Sequence, residues 1–134
     1  MRIEPSAIPT MVFEWGSIKW HVTPRAIDHA SLTLGEVIVN TEAGHAPHEH
    51  VHADEVIYVI GGRGRQSVGD DEFEIAPGDA VWIPRGTEHS TYNTGWQPLR
   101  LIVTYTPGGE EAALTDLPDY EELAPGAAPS WRTG

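Results

Sequence analysis

The chain is predicted to fold as one antiparallel all-β barrel or sandwich, and three observations carry that expectation. Its 134 residues suit a single hydrophobic core and fall short of two domains of usual size. Its 14 Gly and 11 Pro interrupt the chain too often for long helices. Turn signals recur at short intervals, at Gly35, Gly44, Gly61-Gly62, Gly69-Asp70-Asp71, Pro77-Gly78-Asp79, Pro84-Arg85-Gly86, Thr94-Gly95 and Pro107-Gly108-Gly109. The stretches between them are rich in Val, Ile, Tyr, Trp and Thr, the pattern of many short strands joined by tight turns.

Taken in order, residues 1–30 place Phe13, Trp15, Ile18, Trp20 and Val22 in rough alternation with polar residues, so a strand pair is expected there, at a subunit contact. Residues 31–107 form the barrel core, with strands at SLTLGEVIV (31–39), EVIYVI (55–60), EFEIA (72–76), AVWIP (80–84) and PLRLIVTYT (98–106). The unbroken apolar run Val56-Ile57-Tyr58-Val59-Ile60 implies a strand covered on both faces. A second sheet would cover one face, and a partner subunit the other, so a homodimer is expected. Residues 108–134 read as an acidic tail: six acids fall within 110–122, and EEAALTD allows at most one short helix before the chain frays into solvent.

Charge and composition narrow the partners. Twenty Asp and Glu against eight Lys and Arg give a net charge of −12, which leaves no basic stripe for a phosphate backbone or an anionic membrane. With no cysteine, disulfides, thiolate metal sites and a Cys nucleophile are excluded. The segment MRIEPSAIPT lacks a charged head followed by an apolar run, and no stretch is long and apolar enough to span a bilayer, so a cytoplasmic protein is expected.

What remains for chemistry is a cluster of histidines. His45, His48, His50 and His52 lie in GHAPHEHVHADE, followed by Glu55. On an extended chain the three even-numbered imidazoles would project to one face about 7 Å apart, a spacing that suits convergent metal ligation. Neutral imidazole is the commonest metal ligand, and Glu55 adds an oxygen. Alone, the cluster reads equally as a polar loop.

Two motifs set the cluster in context. The segment from Gly78 to Asn93 has the pattern G-x5-P-x-G-x2-H-x3-N through Gly78, Pro84, Gly86, His89 and Asn93. Upstream, His48-x-His50-x4-Glu55-x6-Gly62 follows H-x-H-x(3,4)-E-x6-G. In this order, with an insert of about fifteen residues between them, they resemble the two motifs of the cupin family. The leading glycine of the first motif falls at position 42, which is Glu42; Gly44 fits only if His50 and His52 were the ligand pair, and that register leaves no acid at the right distance.

The resemblance implies a double-stranded β-helix, or jelly-roll barrel, holding one divalent ion on His48, His50, Glu55 and His89. Nitrogen and oxygen donors accommodate Fe, Mn, Ni, Co, Zn or Cu. It also implies a pocket at the barrel mouth, for which Ile57, Tyr58, Trp82, Tyr92, Arg100 and Tyr105 are the candidate substrate contacts. Arg65 and Arg100 are candidates to pair a substrate carboxylate. His52, a spare imidazole beside the ion, joins Glu55 as a candidate acid or base. The expected substrate is a small oxygenated molecule that chelates through two oxygens. Lewis-acid isomerisation, cyclisation, elimination or decarboxylation would follow, or oxygen-dependent carbon–carbon cleavage, or metal-dependent binding without turnover.

Overall fold

The computed structural model describes residues 1–129. Ten strands run through it: β1 (Thr10–Phe13), β2 (Gly16–Val22), β3 (Thr33–Val39), β4 (Asp54–Gly61), β5 (Gly64–Val68), β6 (Asp71–Ile75), β7 (Ala80–Ile83), β8 (His89–Asn93), β9 (Leu99–Thr106) and β10 (Glu121–Leu123). A seven-stranded sheet has the order β10-β1-β2-β3-β9-β4-β7, and a three-stranded sheet has the order β6-β5-β8. All the strand pairings are antiparallel, giving the all-β jelly roll that the turn-rich sequence implies. Among the described residues, no helix is long and apolar enough to cross a membrane.

The period-two rule builds the core. Along β3, β4 and β9 every second residue is buried, so Val37 and Val39, Ile57 and Val59, and Leu99, Leu101 and Val103 turn inward. The pairings Ile57↔Val103 and Val59↔Leu101 stack these side chains as cross-strand neighbours. The expectation that β4 is covered on both faces fails within the chain. Its outward residues Val56, Tyr58 and Ile60, with Trp82 of the neighbouring β7, are 38–57% exposed, because no layer among the described residues packs on that side.

Strands β5 and β8 carry little apolar signal. Besides His89, their inward side chains are Gln66, Thr91 and Asn93, all essentially fully buried. They are tolerated because they satisfy one another and the backbone: Thr91 Oγ1 donates to Gln66 Oε1 at 2.5 Å, and Asn93 Nδ2 donates to the Val39 carbonyl at 3.0 Å. This polar network ties the small sheet to the large one beneath the site.

The acidic tail is corrected in part. Residues 110–116 form the one short helix that EEAALTD allows, a 3-10 helix, but the chain after it does not simply fray: β10 pairs with β1 in the register Thr10↔Leu123, and the last of the expected tail, 130–134, lies outside the described residues. The Glu111 carboxylate, 7% exposed, is anchored by the Thr33 hydroxyl and by the Gly109 N–H at 3.1 Å. The Glu14 N–H donates to Asp119 at 2.9 Å, and the Tyr120 ring packs 6.0 Å from Phe13. A segment dense in acids is thus held down by hydrogen bonds to its carboxylates, which charge counting alone does not reveal. It closes over one end of the barrel.

Candidate metal centre

Three segments bring the site together. His48 and His89 face each other in an isolated antiparallel bridge, with His48 N–H donating to the His89 carbonyl at 3.0 Å and His89 N–H to the His48 carbonyl at 2.8 Å. His50 and His48 are thus not on a regular strand. An extended connection carries them, tied to the second motif by the Gly86 N–H donating to the His50 carbonyl at 2.8 Å. Gly86 adopts φ +74°, the left-handed conformation in which a side chain is strained, so the Pro84-Arg85-Gly86 turn depends on glycine there. Asp54 accepts from the Arg85 backbone N–H at 3.0 Å and from its guanidinium, fixing this turn against the start of β4, where Glu55 points inward.

The position that should carry the first motif's glycine also behaves as the motif requires. Glu42 has φ +60°, so a non-glycine residue occupies a left-handed slot. Gly44 is needed for a different reason: its strand-like bridge to Tyr92 leaves the Thr91 carbonyl 2.5 Å from where a Cβ would stand.

The ligating atoms of His48, His50, Glu55 and His89 all lie within 4.8 Å of one another, a group that could hold a metal ion. His50, Glu55 and His89 are 8%, 4% and 1% exposed. His50 Nε2 and His89 Nε2 each stand 3.1 Å from Glu55 Oε1, yet these three buried atoms make no hydrogen bond of acceptable geometry. Adjacent donors on one ion at bond lengths of about 2.1 Å would be about 3 Å apart, so the residues fit such a group. Buried polar atoms left unsatisfied are costly in a folded protein, and a ligand is the usual explanation.

Each imidazole is oriented by its other nitrogen. His89 Nδ1 lies 2.9 Å from the Thr87 carbonyl, His48 Nδ1 3.2 Å from the Ala46 carbonyl, and His50 Nδ1 3.4 Å from the Glu110 carboxylate. With a proton on Nδ1 in each ring, the Nε2 lone pairs are presented to the site, the arrangement metal-ligating histidines need.

Burial, reinforced by the neighbouring His45 and His89, lowers His48 to about 3, so it stays neutral. Burial pushes the Glu55 carboxyl up, but the His50 and His89 imidazoles outweigh it and hold Glu55 at about 2. Burial lowers His89 as well, but the Glu55 carboxylate wins and its pKa is raised from 6.5. His89 therefore holds its proton to higher pH than a free imidazole, and must lose it before it can ligate. Metal affinity is expected to fall as the pH drops, by about tenfold or more per pH unit once an imidazole must be deprotonated to bind. Titrating the metal-free protein with Zn(II) between pH 8 and pH 5 checks this, and a constant affinity throughout would contradict it.

Above the cluster opens a cavity of about 640 Å³. Ile57 and Tyr105 line it, as expected. Tyr105 packs on His50 with ring centroids 4.6 Å apart, and burial, then the charges of Glu55, Glu111 and Glu110, raise its phenol well above 10. The other expected substrate contacts do not reach the cavity. Tyr58, Trp82 and Tyr92 are 48%, 57% and 47% exposed, because strand alternation turns them to the outer faces of β4, β7 and β8. Arg100 pairs with Glu36 at 3.0 Å on the outside of the large sheet, and Arg65 pairs with Glu72 at 2.9 Å. His52 is exposed on the turn before β4 and lines no part of the cavity.

In their place the structure adds residues that the motifs do not mark. His45 lines the cavity beside His48, ring centroids 4.6 Å apart, and burial lowers its pKa. Trp15 enters from the β1–β2 turn, and Glu110, Leu114, Leu117 and Asp119 come from the segment expected to be a solvated tail. For His45 the signal was present in the cluster itself. For the capping residues only their apolar content, Leu114 and Leu117 among acids, hinted at packing.

A family profile described as "Cupin domain" matches residues 35–105. The chain is 32% identical over 89 residues to an uncharacterized protein of Methanocaldococcus jannaschii, across 66% of this chain and 71% of that one. It is 24% identical over 128 residues to the tetracenomycin polyketide synthase protein TcmJ of Streptomyces glaucescens, across 96% of this chain and 86% of that one. Among solved structures, KdgF from Halomonas sp. superposes with a TM-score of 0.66 at 21% identity, covering 75% of this chain and 88% of that one, a likeness of fold.

Proposed function

The chain belongs to the cupin family, and from that premise we propose that it is a divalent-metal-dependent enzyme acting on a small molecule that chelates the ion through two oxygens. The observation that carries this is the convergence of three imidazoles and one carboxylate, with unsatisfied buried Nε2 and Oε1 atoms, beside a ligand-sized cavity that His48, His50 and Glu55 line. His48, His50, Glu55 and His89 would hold the ion. The chemistry a bound divalent ion supplies is Lewis-acid polarisation of a carbonyl and stabilisation of an enolate, as in isomerisation, cyclisation, elimination or decarboxylation.

The chain's own groups complete the chemistry. The Tyr105 hydroxyl keeps its proton and donates a hydrogen bond to a substrate oxygen. His45, neutral and with Nδ1 3.3 Å from the Ala46 carbonyl, accepts a proton at Nε2, the role the sequence had suggested for His52. The cap over residues 110–119 limits the access of water. The similarity to a polyketide synthase protein supports a carbonyl-rich substrate.

Elemental analysis of protein purified without added metal, followed by incubation with 1,3-diketones with and without oxygen, tests the proposal. About one ion per chain and oxygen-independent turnover is the expected result. Product formed only with oxygen would move the reaction to dioxygenase chemistry, and saturable binding without product to a binding protein. Absence of metal after loading would overturn the site.

A further inference from the structure

The cavity's lining carries a second message, about charge. Its walls are apolar, built by Trp15, Ile18, Leu101 and Val103 from the barrel and by Leu114 and Leu117 from the cap. Among the described residues that line it there is no Lys or Arg. The charged groups beyond Glu55 are all acids: Glu14, Glu49, Glu110 and Asp119. The two arginines nearest in role, Arg65 and Arg100, are spent on ion pairs at the outer surface.

We infer that the ligand of this cavity is an apolar, uncharged molecule whose only ionisable group is the oxygen pair taken by the metal, an aryl 1,3-diketone or a hydroxyaryl ketone. The inference rests on the metal-dependent reading above and selects within it. A hydroxy-keto acid, sugar phosphate or dicarboxylate would bring at least one further anion into a cavity with no cation to pair it and four carboxylates to repel it. Burying such an anion unpaired is strongly unfavourable. A volume of about 640 Å³ exceeds what a bare two-carbon dianion needs and falls in the range of a ligand with an aromatic body. Of the candidate ligands, His48, His50 and Glu55 line this cavity, and the unsatisfied atoms of His50 and Glu55 are among their polar groups, so the chelating end of the ligand is directed there and its body is left against Trp15 and the leucines.

The test uses three compounds with the same chelating end. They are 1-phenylbutane-1,3-dione, its analogue bearing a para-carboxylate on the ring, and the methyl ester of that analogue. Binding to Zn(II)-loaded and to metal-free protein is followed by quenching of tryptophan fluorescence and by calorimetry, with zinc content measured separately. The parent and the ester are expected to bind at least about tenfold more tightly than the acid, and Leu117→Arg, at the half-open rim, to recover binding of the acid. If the acid binds as tightly as its ester, or if none of the three binds, the inference is overturned even when zinc is bound stoichiometrically. If the protein holds no zinc while metal-free protein still prefers ester to acid, the metal reading fails and the charge selection stands.

Discussion

Saturating the protein with a divalent ion is expected to raise its melting temperature by about 12–20 °C when the free metal exceeds Kd about a thousandfold. Binding to the native state alone contributes about 4 kcal/mol under those conditions, and a domain of this size shifts by about 3–5 °C per kcal/mol. The large response is consistent with what the metal-free site contains: two buried imidazole nitrogens, each 3.1 Å from the Glu55 Oε1, with all three atoms unsatisfied. His89→Ala is expected to abolish the shift. It removes a candidate ligand that is 1% exposed and is held in place on β8. Its affinity should drop by more than the ~100-fold that follows loss of an outer-sphere partner. Differential scanning fluorimetry with and without Zn(II), alongside metal analysis, reads both effects. A His89→Ala protein that keeps its metal content and its thermal shift would remove His89 from the site.

Glu110→Ala is expected to weaken metal binding by about 10–100-fold while leaving the fold intact. Glu110 sits 3.4 Å from His50 Nδ1 and is the only carboxylate among the three groups that orient the imidazoles; the other two are backbone carbonyls that mutation cannot remove. Without it the His50 ring loses the negative charge beside Nδ1 that favours a proton there and leaves the lone pair on Nε2. The cap itself should stay in place, because Glu111 remains bonded to Thr33 and Gly109, and β10 remains paired with β1. Glu110→Gln should fall between, since its amide oxygen still accepts. Competition with a chromogenic chelator gives the affinities, and nitrogen-detected NMR of the imidazoles gives the tautomer. Unchanged affinity in Glu110→Ala with an unchanged His50 tautomer would show that the contact does not matter.

Much of this site was legible beforehand because its determinants are local. His48, His50, Glu55 and His89 are the set that the resemblance to the two cupin motifs implies, and those motifs are short because each candidate ligand lies within a few residues of the turn that presents it. Glu42 shows the same from the other side: a glycine slot is identifiable by position even when another residue fills it, and its φ of +60° reflects what the turn demands. Strand parity correctly turned Ile57 inward with Glu55, because alternation along one strand needs no knowledge of its neighbours.

The substrate contacts were not legible in the same way. Tyr58, Trp82 and Tyr92 are aromatic residues near the motifs, but which face each occupies depends on the register of its own strand relative to the barrel, and all three point outward. Charge was misleading at the C-terminus. Six acids suggested a solvated tail, yet Glu111 is buried, Glu110 reaches His50, and Leu114 and Leu117 face the cavity. Nothing local marks a carboxylate as an anchor, because its partners Thr33 and His50 are 78 and 60 residues away in the chain.

From the sequence alone came the β class, the absence of thiolate donors and, through the resemblance of two short motifs, a candidate donor set, since turn chemistry and motifs are properties of short segments. The tertiary structure alone decided what the site can receive. A cavity wall is assembled from β1–β2, β3, β4, β9 and the cap together, so its apolar surface, its lack of lining cations and its acidic rim are set only when distant segments close on one another.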